Sequence, residues 1–130
     1  MEYFVFVAMV FCHVVDDYVL QAPCLCDLKQ KSWWSKNAPA KKYENDYMIA
    51  LWMHSASWAF MISLPAAIYS WQYLGPWYLT TFYINTSIHY VVDDLKANRG
   101  KLNLIQDQFI HIMQIVVTFL YFMWKAGYPL

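Results

Sequence analysis

The middle of the chain contains a long stretch without charged residues, and this feature limits the fold more than any other. Residues 47–92 include no Asp, Glu, Lys or Arg. Gly75-Pro76, a pair typical of turns, divides this stretch in two. With its flanking residues, each part reaches the roughly 20 residues that cross a bilayer as a helix. The sequence therefore predicts a transmembrane helical hairpin.

Two weaker apolar segments flank the hairpin. Residues 1–21 are apolar as far as Val15, and residues 104–124 are apolar apart from a few polar side chains. The first segment lacks a basic start and a small-residue cleavage site, so we interpret it as a retained helix rather than a signal peptide. We predict an all-α fold, a four-helix transmembrane bundle of two helical hairpins in a single domain over residues 1–130. The predicted spans are about 1–21, 47–70, 74–96 and 103–125.

Composition agrees with a membrane environment. Hydrophobic residues make up 60% of the chain and charged residues 14%, against about 45–50% and about 25% in average soluble proteins. The formal net charge is zero. We therefore predict no nucleic-acid partner, since such partners require a basic surface.

The basic residues indicate the orientation. All Lys and Arg residues except Lys125 lie in the first and third connections between the predicted spans. The positive-inside rule assigns these connections to the cytoplasm and both termini to the opposite side. The first connection, at 22–46, is either an amphipathic segment on the membrane surface or a solvated basic loop.

Each predicted span carries one histidine, and carboxylates follow at helical spacing. His13, Asp17 and Gln21 project from one stripe because each step of four residues advances a helix by only 40°. His89 with Asp93, and Asp107 with His111, repeat this spacing. All four histidines lie about 10–12 Å from the cytoplasmic helix ends at 1.5 Å per residue. The spans therefore predict one polar layer, with Asp16 and Asp94 about 100° off the stripes at interfacial or supporting positions.

Such a layer needs partners, because a charged side chain at the centre of a membrane helix costs about 2.5–3.5 kcal/mol. Imidazoles and carboxylates together are ligands of Zn²⁺, Mn²⁺ or Fe. The predicted metal ligands are His13, Asp17, His54, His89, Asp93, Asp107 and His111. Asp17, Asp93 and Asp107 are also candidate catalytic carboxylates, and Gln21, Lys96, Arg99 and Gln108 are candidates for supporting the ligands or contacting a substrate. A hydrogen-bonded network or a proton path without metal is the alternative.

These residues carry a resemblance to a known family. The patterns are His13-x3-Asp17-Tyr18-x2-Gln21, His54, His89-x3-Asp93-x2-Lys96 and Asp107-Gln108-x2-His111. They resemble a family of small bacterial and phage membrane proteins known as domain of unknown function 3307. Residues 29–39 resemble a phage-type subgroup. The family implies no activity, although its His and Asp layout is similar in style to that of membrane-bound metal-dependent hydrolases.

Our leading functional hypothesis is a metal-dependent hydrolase of the bacterial inner membrane, acting on a lipid-linked or phosphoester substrate at the cytoplasmic leaflet. One alternative is a small cation or proton transport component, which would use the same polar layer. Another is a phage-encoded membrane interaction protein whose polar core is structural. The expected partners are a membrane lipid or lipid-linked substrate, and homo-oligomerisation stays open.

Overall fold

A computed structural model describes residues 2–21, 23–70 and 75–127, and every regular element in these ranges is helical. The elements are α1 (Glu2–Val15), a π-helix (Asp16–Leu20), α2 (Pro23–Leu28), α3 (Lys31–Asn37), a 3₁₀ turn (Lys41–Tyr43), α4 (Asp46–Tyr69), α5 (Pro76–Ala97) and α6 (Leu104–Lys125). The all-α prediction is confirmed. The turn predicted around 72–76 lies partly outside the described residues.

Local sequence signals account for the ends of the long helices. Pro76 occupies the first turn of α5, where its missing N–H leaves no helical bond unmade. Gly100, with φ of 59°, follows the end of α5, as the Arg99-Gly100 pair predicts. Asn103 caps α6 in a reciprocal capping box with Gln106.

The end of α1 departs from regular helix geometry. The backbone N–H of Gln21 donates to the carbonyl of Asp16 at 2.9 Å, which is the i→i+5 bond of a π-helix. Asp16, the first residue of this π-helix, is only 1% exposed and faces the interior beside Asp17. Of the two positions predicted for Asp16, interfacial or supporting, the structure favours the second, because its carboxylate lies behind the ring of His54.

The four long helices pack in a closed order in which α1 contacts α4, α4 contacts α5, α5 contacts α6 and α6 returns to α1. The short helices α2 and α3 pack against α4. One end of the interior is an apolar cluster formed by Val5, Met9, Trp58, Ala59, Ile62, Ala66, Ile115, Phe122 and Met123. Nearly all the buried histidines and carboxylates lie beyond this cluster, at the end nearer α2.

The distribution of polarity is the reverse of that in a water-soluble fold. Charged and polar side chains such as His13, Asp16 and Asp107 are buried, whereas Phe4, Ile49 and many other large apolar side chains are exposed. Within the described ranges, three helical stretches are long and apolar enough to cross a membrane: Glu2–Leu20, Lys41–Tyr69 and Leu104–Lys125. These features are compatible with a membrane protein.

Candidate functional site

Three histidines from consecutive long helices meet inside the fold. The Nε2 atom of His54, on α4, lies 3.2 Å from Nε2 of His89, on α5. The ring of His111, on α6, stacks on that of His89 with the centroids 4.1 Å apart. All three side chains are almost completely buried. The helical phase predicted this convergence.

Asp93 lies at the centre of this group. Its Oδ1 atom is 3.6 Å from Nε2 of His89 and 3.5 Å from Nε2 of His111. Its Oδ2 atom is 3.5 Å from Nε2 of His54. Asp17 approaches from α1, with Oδ1 3.6 Å from Nε2 of His54, and Asp107 from α6, with Oδ1 3.4 Å from Nε2 of His111.

Two overlapping groups of these residues have the spacing of a metal site. Asp17, His54 and His89 form one group, and His89, Asp93 and His111 form the other. Within each group the ligand atoms lie within 4.8 Å of one another. A tetrahedral ion with bonds of about 2.0–2.1 Å separates its ligand atoms by about 3.3–3.4 Å. Four pairs within these groups, Asp17–His54, His54–His89, His89–Asp93 and Asp93–His111, are 3.2–3.6 Å apart, close to that value.

Polar groups lie behind the rings of two of these histidines, on the side away from the centre. Nδ1 of His54 faces Oδ2 of Asp16 at 3.6 Å, an ion-pair distance, and the other oxygen of Asp16 accepts a hydrogen bond from the Ser57 hydroxyl at 2.7 Å. Nδ1 of His111 lies 3.3 Å from Oε1 of Gln114, whose amide nitrogen donates to α5. With the proton on Nδ1, His54 and His111 each present an unprotonated Nε2 to the centre. A carboxylate or amide behind the ring is the usual arrangement around a metal-bound histidine.

The ring of His13 has different hydrogen-bond partners from those of the other three histidines. Its Nδ1 atom accepts the indole N–H of Trp58 at 2.8 Å, so the proton is on Nε2, which lies 3.2 Å from Oε1 of Gln108. The Gln108 amide in turn donates to Asp17 at 3.3 Å and to Asp107 at 3.2 Å. Both ring nitrogens are therefore engaged. The structure does not bring His13 into either metal-type group, and its hydrogen bonds instead orient Gln108.

Two lysines balance part of the buried negative charge. The Nζ atoms of Lys29 and Lys96 lie 2.6 Å from Asp93 and Asp107, respectively. Asp16 and Asp17 form no ion pair with a lysine or arginine within the described ranges, so two of these four carboxylates lack a cation when the histidines are neutral. Such a cluster is favourable only with added protons or a cation.

Several buried polar atoms point to the same requirement for a proton or a cation. Nε2 of His111 has no hydrogen-bond donor or acceptor in the described chain, and neither do Oδ1 of Asp17 and Oδ1 of Asp107. These atoms face the same interior region as the two metal-type groups. Buried polar atoms without partners are rare in folded proteins and usually mark an ion, a water molecule or a functional group.

An open polar cavity of about 350 Å³ lies beside the cluster. It is lined by Asp17, Gln21, Cys26, Lys29, Gln30, His54, Asp93, Lys96, Ala97 and Asp107. The structure thus brings Gln21 and Lys96 to the mouth of the cluster, as predicted from their spacing. It does not bring Arg99 there, because α5 has already ended and the guanidinium pairs with Asp94 at 2.8 Å.

Two residues of the site were missed in the sequence. Trp58 is fully buried and stacks on His89 with the ring centroids 4.3 Å apart. Its position four residues after His54 is a signal that could have identified it. Lys29 belongs to the first connection, where no helical period indicates which side chain turns inward.

Comparison with known proteins identifies the family. The family described as "Protein of unknown function (DUF3307)" matches residues 5–128, nearly the whole chain. No curated protein and no solved structure matches the chain. The match includes all the residues of the cluster described above, and the chain belongs to the DUF3307 family.

Proposed function

We propose that this protein is a metal-dependent hydrolase embedded in the bacterial inner membrane, acting on a lipid-linked or other phosphoester at the cytoplasmic leaflet. One observation carries the proposal. The Nε2 atoms of His54, His89 and His111 converge with the carboxylates of Asp17 and Asp93 at ligand spacing, beside an open polar cavity. A purely structural network has no need of that opening.

The proposal includes a four-helix transmembrane bundle of two hairpins, in which α5 also crosses the membrane. The buried face of α5 is mainly polar, and its exposed face is mainly apolar, including Leu79, Tyr83, Ile84, Ile88 and Val91. Such a helix has a low average hydropathy but a lipid-compatible exterior. Lys29 and Lys96 pair with carboxylates of the polar cluster, and Arg99 lies just beyond the same end of α5. The positive-inside rule assigns that end to the cytoplasm and both termini to the other side.

The residues of the cluster have distinct roles in this proposal. His54, His89, His111, Asp17 and Asp93 would hold the ion, which would supply an activated water and polarise the phosphoryl oxygen. Asp107 has a buried Oδ1 atom without a hydrogen-bond partner, and it would accept the proton that the attacking water loses. As the new P–O bond forms and the ester P–O bond breaks, that proton would pass to the leaving oxygen.

Metal content and hydrolysis test the proposal together. The protein is purified in detergent, stripped with a chelator and reloaded with Zn²⁺, Mn²⁺ or Fe²⁺. We expect at least one tightly bound ion per chain, and hydrolysis of 4-nitrophenyl phosphate or 4-nitrophenyl hexadecyl phosphate only in the loaded protein. Absence of bound metal after reloading with all three ions would refute the proposal.

Two variants complete this test. His89→Ala removes the residue shared by both metal-type groups, so it should retain no ion and show no hydrolysis. Asp94→Asn is the matched control, because Asp94 is also a carboxylate of α5 but pairs with Arg99 outside the cluster. A His89→Ala variant as active as the parent protein would contradict the assignment of the site.

A chain of hydrogen bonds favours a second candidate function, proton or cation transport. From His111 the chain continues through Gln114 and Asn85 to Thr118. Thr118 lies about 10 Å further along α6 than His111, taking 1.5 Å per residue. Proteoliposomes with an internal pH-sensitive dye distinguish the two functions. A transporter should show flux that Gln114→Leu abolishes, and a hydrolase should show none.

A further inference from the structure

Lys29 enters the metal-type cluster from outside the four long helices. It lies between α2 and α3, in a connection rich in lysine, yet it is only 8% exposed. Its Nζ atom lies 2.6 Å from Oδ2 of Asp93. The other lysines of this connection within the described residues, Lys31, Lys36, Lys41 and Lys42, are exposed.

The backbone around Lys29 is fixed, so the insertion is part of the fold. The side-chain amide of Asn98, at the end of α5, donates to the carbonyl of Lys29 at 3.1 Å. The Oδ1 atom of Asn98 also accepts the backbone N–H of Lys31 at 2.7 Å. On the other side, the indole of Trp34 donates to the carbonyl of Leu28 at 2.8 Å. These bonds hold the α2–α3 junction over the cluster.

A metal ion and the Lys29 ammonium would compete for the same carboxylate. Asp93 belongs to the metal-type group with His89 and His111, and its Oδ2 atom also faces His54. A divalent ion on these atoms would lie next to the ammonium, and repulsion between two cations at such a distance is strong in a buried site. An ion held by His89, His111 and Oδ1 of Asp93 would lie across the same carboxylate from Lys29, which contacts Oδ2, so its binding favours movement of Lys29 away from Asp93.

We propose that Lys29 is a tethered cation that neutralises Asp93 in the metal-free protein, moves aside when the metal ion binds, and then binds the anionic group of the substrate. The inference rests on the proposed function and specifies its substrate class, an anionic phosphoester rather than a neutral ester. The displaced ammonium remains beside the metal, since Lys29 lines the polar cavity together with Lys96 and Gln21. A flexible lysine stem allows this movement without rearrangement of the helices.

Lys29→Met separates this role from a structural one, because its two expected effects have opposite directions. Removal of the competing cation should increase affinity for Zn²⁺ or Mn²⁺ about 10-fold, and removal of the anion-binding group should weaken inhibition by inorganic phosphate about 10-fold. Both are measured by titration of the full-length protein in detergent. Lys31→Met is the matched control, because its side chain is exposed beside Tyr47, and it should change neither value.

Accessibility of Lys29 in the parent protein gives a second test that needs no variant. Acetic anhydride labelling followed by peptide mass spectrometry should modify Lys29 several-fold more in the metal-loaded protein than in the stripped protein, whereas Lys31 should be modified equally in both. Equal or lower labelling of Lys29 on loading would overturn the inference, as would weaker metal binding by Lys29→Met. If the parent protein binds no metal, the proposed function itself fails. If it binds metal and Lys29→Met binds it no more tightly, only the role of Lys29 fails.

Discussion

The same helices build two very different ends of this molecule. At one end, Val5 and Met9 of α1 pack against Ile62 of α4 and Phe122 of α6 in a close-packed apolar cluster. At the other end, those three helices join α5 in burying histidines and carboxylates, and some polar atoms there have no partner. Apolar packing stabilises a membrane bundle by itself, whereas buried charge does not. We therefore expect stability to be concentrated at one end and the proposed chemistry at the other.

Trp58 marks the boundary between the two ends. Its ring belongs to the apolar cluster and is completely buried. Its N–H donates to His13, and its face stacks on His89. The Trp58 side chain thus connects the apolar cluster to two of the histidines and restricts their positions. The two ends differ in composition and are joined by this side chain.

The largest expected effect is a loss of metal affinity at the polar end in Asp16→Asn. Asp16 lies behind His54, and loss of a carboxylate in this position typically weakens metal binding by about 10-fold to 100-fold. The substitution preserves size, so the apolar end and the unfolding midpoint should change little. Metal affinity is measured by competition with a chromophoric chelator. Unchanged affinity would show that metal binding at the polar end does not depend on the Asp16 carboxylate behind His54.

A smaller effect, on stability rather than on metal affinity, is expected from Ile62→Ala in the apolar cluster. In the proposed membrane setting, lipid tails are as apolar as the isoleucine side chain, so the substitution loses little transfer free energy. The cavity that it leaves should lower the free energy of unfolding by about 1–2 kcal/mol. Thermal unfolding in detergent should shift downward, while metal affinity of the folded protein stays within twofold, roughly the limit for distant sites. A large loss of metal affinity would break the distinction between the two ends.

The smallest effect is expected from Asp94→Asn. The Asp94 side chain is only 13% exposed, but its partner Arg99 is 62% exposed, and solvent screening on that side keeps the contribution of the ion pair to about 1 kcal/mol. Metal affinity and hydrolysis should remain near those of the parent protein. Loss of either would mean that the functional region extends beyond the two metal-type groups, past the end of α5.

Regular helices explain how much of the site the sequence could predict. His54, His89, Asp93, Asp107 and His111 lie on uninterrupted α-helices, so their phase and depth placed them in one layer. Asp16 and Asp17 both lie in the π-helix, and both side chains face the interior. A π-helix has no clear signature in a single sequence, so regular spacing alone could not show that two neighbouring carboxylates turn inward.

The position of Lys29 required tertiary contacts that local patterns do not contain. Helices α2 and α3 are short, and their arrangement depends on hydrogen bonds from Asn98, a residue distant in the sequence. The charge pattern predicted correctly that basic residues surround this end. It could not identify which of several lysines turns inward, because an irregular connection has no repeating phase.

In the proposed four-span topology, biosynthesis must contend with the polar side chains of α5. A nascent helix carrying Asn85, His89, Asp93, Asp94 and Lys96 partitions poorly from the translocon into lipid when it is alone. It contacts α4 more extensively than any other helix, and α4 emerges from the ribosome just before it. We therefore expect α4 and α5 to leave the translocon as a pair, and α6 to shield the remaining polar face afterwards. Chains that stall before α6 is made would expose that face and become substrates for membrane quality-control proteases.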